Sequence, residues 1–248
     1  MTRGAYVMHL QGLTPYRDAW ELQRVLAGAV SQGAIPDTVL FLEHPPTITI
    51  GRRTEDGEVH VPEGADVAVV ETDRGGRSTY HGPGQLVCYP ILDLKRHGKD
   101  VKKFCRDLEE AIAQTLAAFG LVGARIDGLT GVWMTPPPRK IASIGVHLSR
   151  WVSTHGYALN VDLDPTPFTD WITACGLDDA AFTSMAQELG RAITVDEVRA
   201  AARDAFADVF GLTLEELPGD EPGLWAQPIH SRLLVGNADG RAGKARTS

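Results

Sequence analysis

Apolar residues recur at near-helical spacing through Ala19, Leu22, Leu26, Ala29 and Val30, after Thr14-Pro15 and before Gly33. A polar cap, a first-turn proline and a closing glycine bracket that run, so the pattern predicts a helix over about Pro15 to Gln32. TVLFLE at 38–43 and TITI at 47–50 are β-branched and apolar, and His44-Pro45-Pro46 between them breaks any helix, so both read as strands. Val67 to Glu71 and Leu86 to Leu92 predict two more. Asp100 then caps a helix whose Val101, Phe104, Leu108, Ala111, Ile112, Leu116 and Phe119 share one face and which Gly120 stops.

Between 121 and 161, LVGARI, GVWM, KIASIGVHL and THGYALNV supply four further strand candidates, separated by Pro136-Pro137-Pro138 and polar turns. Helices return as a short one around Phe168 to Ala174 and a longer one, opened by a Thr194–Glu197 capping box and closed by Gly211. Strands in the middle with helices outside predict an α+β fold, a mixed β-sheet with helices packed on it. No repeat or linker divides residues 1–217, which are expected to form one domain. The Gly-, Ala-, Arg- and Asp-rich stretch over 218–248 reads as a partly disordered tail.

The chain has 248 residues, 43% hydrophobic and 23% charged, and no apolar run approaches the ~18–20 residues of a membrane span. MTRGAYVMHL contains no leader-like core, and three cysteines without a CxxC pair argue for a reducing cytoplasm and against a structural zinc site. A net charge of −8 speaks against nucleic acid as partner, because phosphate neutralisation needs a basic face. The exception is KRHGKDVKK at 95–103, where five basic residues face one acidic residue.

RGGRSTYHGPGQLVCYP at 74–90 concentrates glycine in front of a strand. Gly82-Pro83-Gly84 has the signature of a type II turn, and Gly75-Gly76 offers bare backbone N–H groups beside Arg74, Thr79, His81 and Gln85. A turn alone accounts for the first pair; converging polar groups suggest a ligand. Cys88 and Cys105 sit in apolar patterns and read as core thiols, whereas Cys175 lies between Ala174 and Gly176, which leave its sulfur approachable. A thiol becomes a nucleophile when a base or cation lowers its pKa, and Lys140, at the start of an apolar strand, is one candidate. His81 and His155 are others, so a Cys-His hydrolase stays open at this point.

RGG..TYHGPGQLVCYP, GVW followed by RKIASIGV, THGYALNV and ITACG together resemble the lipoyl(octanoyl) transferase family over most of residues 1–215, in the family's order. The resemblance implies a fold similar to the catalytic domains of biotin and lipoate protein ligases. It further implies a cytoplasmic enzyme that moves octanoyl from octanoyl-acyl carrier protein to a lysine of lipoyl domains in 2-oxoacid dehydrogenase complexes and the glycine cleavage H protein. Matched position by position, Cys175 is the acyl-accepting nucleophile and Lys140 the residue that lowers its pKa. Arg74, Gly75, Gly76, Arg77, Ser78, Thr79, Tyr80 and His81, with Ser143, Ile144, Gly145, Gly156, Tyr157 and Ala158, would line the acyl site. Ala174 departs from the proline that many members carry before the cysteine.

Thioester exchange of this kind calls for no cofactor and no metal. An ATP-using ligase of the same fold would not depend on Cys175, and a non-catalytic acyl binder would not need Lys140 beside it. Acyl carrier proteins and lipoyl domains are generally acidic, so the basic 95–103 stretch is a candidate docking patch.

Overall fold

A computed structural model describes residues 2–173 and 181–217. Cys175 and the expected tail from 218 onward therefore lie outside the described residues, as does Ala174, the predicted end of the short helix.

The main sheet opens with β1 (Arg3–Leu13), which the sequence reading did not anticipate, and with β2 (Thr38–Glu43) beside it in parallel. The predicted helix between them is α1 (Tyr16–Ser31). Its cap differs from expectation: Pro15 occupies the N-cap without a side-chain hydrogen bond, and the Thr14 carbonyl instead accepts from His44 Nδ1 at 2.6 Å. Three short strands, β3 (Thr47–Ile50), β4 (Ala68–Glu71) and β5 (Thr79–His81), form a separate small sheet in the order β4-β3-β5.

The chain then returns through β6 (Gln85–Ile91), helix α2 (Val101–Ala117), and β7 (Ala124–Ile126), β8 (Leu129–Met134), β9 (Arg139–Ser149) and β10 (Val152–Asn160). Asp100 caps α2 as its side chain accepts from Lys103 N. LVGARI becomes a strand only in its second half, where Ala124 and Ile126 pair with β8. After α3 (Thr166–Asp170) come β11 (Ala181–Phe182), α4 (Met185–Leu189), α5 (Val195–Phe210) and β12 (Leu212–Leu217). The Thr194–Glu197 capping box forms as predicted, and Gly211 ends α5 at φ 61°. β11, α4 and β12 were not anticipated.

The main sheet runs β12-β1-β2-β6-β10-β9-β8-β7, with β11 added in parallel beside β9. Both of its central faces are covered, as the alternation along β2 records. Val39 and Phe41 pack with Cys88, Leu108, Ile112 and Phe206 under α2 and α5, while Leu40 and Leu42 pack with Leu22, Leu26, Val87 and Tyr89 under α1. Each fully buried aliphatic side chain contributes about 1.5–3 kcal/mol, which makes these two layers the bulk of the fold's stabilisation. A third cluster, with Ile48, Tyr80, Phe168 and Ile172, ties the small sheet to α3. The expected mixed sheet with packed helices is thus the observed architecture, and no helix among the described residues is long and apolar enough to cross a membrane.

Candidate active site

The 74–81 stretch is built as a loop leading into β5, and its geometry explains the glycines. Gly84 stands at φ 83° and Gln85 N donates to Gly82 O at 3.2 Å, the type II turn expected there. Gly75 plays a different part from the one anticipated: its N–H donates to Val146 O at 2.9 Å and docks the loop on β9. A Cβ on Gly145 would come within 2.9 Å of Gly75 O, so the loop and the strand meet at a distance only glycine allows. Arg74 is buried and holds this loop together. Its Nε donates to Thr49 Oγ1 at 3.0 Å, one terminal nitrogen to Thr49 O at 2.7 Å, and the other to Arg77 O at 2.8 Å.

Loop and strands enclose a cavity of about 370 Å³, within the range of small-molecule sites. Of the residues expected at the site, Arg74, Gly75, Gly76, Arg77, Ser78, Thr79 and His81 line it from the loop side. Lys140, Ser143, Ile144 and Gly145 of β9, and Gly156, Tyr157 and Ala158 of β10, line it from the sheet. Tyr80 does not: alternation along β5 turns it to the third cluster, edge-on to Phe168 and Trp171. Ser78 is buried, and its hydroxyl has no hydrogen-bond partner among the described residues.

Lys140 is 5% exposed, and its Nζ stands 5.3 Å from the ring centroid of Trp133. Gly131, at φ 116°, makes room for it, since a Cβ there would lie 2.8 Å from Lys140 Cε. The lysine thus occupies the cavity wall and not the solvated strand edge where a lone lysine is more commonly found. Cys88 lies in the core as read, and burial pushes its thiol well above the ordinary range. Cys105 is only half-buried and lines the cavity's edge, a correction to its reading as a core thiol.

Tyr16 and Tyr89, which the sequence does not single out, join His81 and His155 in the most buried part of the cavity. Tyr16, at the first turn of α1, reads in sequence as an ordinary helix position, yet its hydroxyl meets His155 Nδ1 at 3.0 Å. His155 Nε2 meets Asp73 Oδ1 at 2.7 Å, and its backbone is left-handed at φ 56°. Because the Asp73 carboxylate only accepts, Nε2 carries the proton and Nδ1 accepts from Tyr16. The same logic orients His44: Thr14 O accepts from Nδ1, so Nε2 takes the Tyr89 hydroxyl proton at 2.7 Å.

His81 Nδ1 lies 2.7 Å from Gln85 Oε1. Burial, reinforced by His44 and Arg74, holds His81 well below the ordinary imidazole range. Burial likewise lowers His155, against the opposing pull of Asp73, and lowers His44 to about 4. These imidazoles are neutral at pH 7, so they offer hydrogen bonds and only weak bases, and the positive charge beside them is that of Arg74. Burial raises the Tyr16 phenol to about 12 and keeps it protonated. Tyr16 carries no sequence motif of its own and only its distant partners mark it, whereas Tyr89 stands near the end of the 74–90 motif without a signal that singles it out.

Comparison with known proteins bears on the fold and the family. Residues 15–207 match the family described as the lipoyl protein ligase A/B catalytic domain. An octanoyltransferase of Chloroflexus aurantiacus is 48% identical over 210 residues, covering 83% of this chain and 94% of that one. An octanoyltransferase of Mycobacterium tuberculosis is 52% identical over 196 residues, covering 78% and 82%. Among solved structures, the lipoate protein ligase of a Thermoplasma acidophilum lipoylation system superposes with a TM-score of 0.68 at 14% identity, covering 93% and 92%. A lipoate-protein ligase A bound with ATP gives a TM-score of 0.68 at 15% identity, covering 94% of each chain. The last two establish a shared fold, and the family match with the relatives near 50% identity establishes kinship: the chain belongs to the lipoyl protein ligase A/B catalytic domain family.

Proposed function

We propose that this chain is an octanoyltransferase that carries octanoyl from octanoyl-acyl carrier protein, through a thioester on Cys175, to a lysine of lipoyl domains in 2-oxoacid dehydrogenase complexes and the glycine cleavage H protein. The observation that carries the mechanism is the burial of Lys140 in a cavity whose wall anchors both flanks of the Cys175 segment. Before the cysteine, Thr173 N donates to Glu58 O at 2.8 Å, and the Glu58 carboxylate holds Arg77 of the cavity lining. After it, Ala181 and Phe182 pair with Arg139 and Lys140 themselves.

In the first half-reaction Lys140 takes the Cys175 proton, and the thiolate attacks the carbonyl carbon of the donor thioester. The donor thiolate leaves and recovers that proton, so one thioester replaces another and no ATP is consumed. In the second, the acceptor lysine amine attacks the enzyme thioester, an amide forms, and the amine's proton passes to the departing Cys175 sulfur, with Lys140 as the shuttle. The neutral imidazoles, each hydrogen-bonded elsewhere, are poor rivals for that role.

Intact-mass spectrometry after mixing the protein with octanoyl-acyl carrier protein, without ATP, tests the reading. One hydroxylamine-labile octanoyl group on Cys175 is expected. Release of free octanoate without an acyl-enzyme, or dependence on ATP, would overturn it.

A further inference from the structure

The cavity is unevenly buried. Arg53, Gly128 and Thr130 at its rim are exposed, whereas Tyr16, His81, Tyr89 and His155 are 1–5% exposed. Lys140 and Val146, the β9 partner of His155, are six residues apart, roughly 20 Å along a strand. Gly145 and Gly156 face each other across β9 and β10, and one step on from the Tyr157–Cys88 pair Gly156 stands beside Tyr89 of β6. Two bare glycines thus lead across the sheet floor to a tyrosine.

That tyrosine and Tyr16 cannot swing aside. The Tyr16 hydroxyl meets His155 Nδ1 at 3.0 Å, and the Tyr16 ring lies within 6.5 Å of the rings of Trp20, His44, His81, Tyr89 and His155. His155 is in turn fixed by Asp73 at its side chain and by Gln23 Oε1, 2.6 Å from its backbone N. Both hydroxyl protons are spent on histidine nitrogens, so a methyl group resting on this wall leaves no donor without its partner. A longer chain would have to break that network.

Resting on the transfer reading above, we infer that Tyr16 and Tyr89 form the rigid end wall of the acyl slot and set the length of the saturated chain the enzyme accepts. Tyr16 is the principal stop, because it is the hub of the cluster.

The test is an acyl-length profile, measured as relative rates of enzyme acylation by thioesters of six to fourteen carbons on one small thiol. Tyr16→Leu, which shortens the wall, is expected to move the preferred chain at least two carbons longer and to raise the dodecanoyl-to-octanoyl ratio about tenfold or more. Tyr16→Phe, which keeps the ring, is expected to retain the wild-type profile. Ratios within one preparation do not depend on how much of it is folded, and Tyr89→Leu, expected to lengthen the profile too, serves if Tyr16→Leu shows no cooperative unfolding. An unmoved profile in the leucine variants overturns the inference, as does an equal shift in Tyr16→Phe. A wild-type protein that accepts no acyl group from any thioester defeats the transfer reading and this inference with it, whereas normal wild-type acylation with unmoved variant profiles defeats the end wall alone.

Discussion

At the scale of single residues, the proposed chemistry separates two roles. Cys175→Ala is expected to abolish the acyl-enzyme, while Cys88, sealed in the core, and Cys105, at the cavity's edge, acquire no acyl group; peptide mapping of the acylated protein checks both. Lys140→Met removes the proton acceptor and is expected to slow acylation by about a hundredfold or more at pH 7. Partial recovery at alkaline pH should follow, as hydroxide takes over the deprotonation of the thiol. A stopped-flow pH profile of acylation that stays unchanged would remove Lys140 from the mechanism.

His44 carries a different expectation, one of stability. It is fully buried with its pKa lowered from 6.5 to about 4. Between those values the unfolded chain binds a proton that the folded chain refuses. The stability present above pH 6.5 is therefore lost as pH falls toward 4, by up to about 3 kcal/mol. His44→Gln should be less stable at pH 7 but lose less between pH 7 and 4.5 in urea unfolding, and an equal acid loss in both proteins would exclude His44 as its source.

Among elements, what the sequence discloses depends on how local the signal is. α2 and α5 carry their own caps and apolar stripes, so both are legible without their neighbours. β1 is not: Gly4, His9, Gln11 and Gly12 interrupt its apolar alternation, and only pairing on both sides makes it a strand. The site divides the same way. Arg74, His81 and Lys140 stand in recognisable motifs, but Tyr16 meets His155 across 139 positions of chain, a distance no periodicity spans. Glycines in the sheet are equally a matter of neighbours. A Cβ on Gly156 would collide with Cys88 O, which is backbone and cannot rotate away. Gly156→Ala is therefore expected to cost about 1–3 kcal/mol of stability, read from the denaturant midpoint, and a midpoint unchanged from wild type would show that β6 and β10 can part at no cost.

For the molecule as a whole, the basic stretch before α2 is narrower than its sequence suggests. Arg96 lies against Asp37 and Asp93, and Lys103 pairs with Asp107 at 2.6 Å, whereas Lys95, Lys99 and Lys102 make no ion pair among the described residues. If these three lysines steer an acidic carrier, reversing them to glutamate should raise KM for octanoyl-acyl carrier protein and flatten its salt dependence. Reaction with a small octanoyl thioester should stay nearly constant. Equal losses with both donors would mean that the α2 entrance has been damaged and no docking face removed.

The pairing of β1 with β12 has a consequence for how the protein comes into being. Residues Arg3 to Met8 lie between β2 and Leu212 to Leu217, parallel to both. A ribosome releases β1 and β2 long before β12, so β1 can gain β2 early while its outer edge stays open until residues 212–217 follow. An unpaired strand edge is a template for any other extended chain, and contacts this distant in sequence form late. An adhesive edge made early in this chain is thus covered only when a strand far along it arrives.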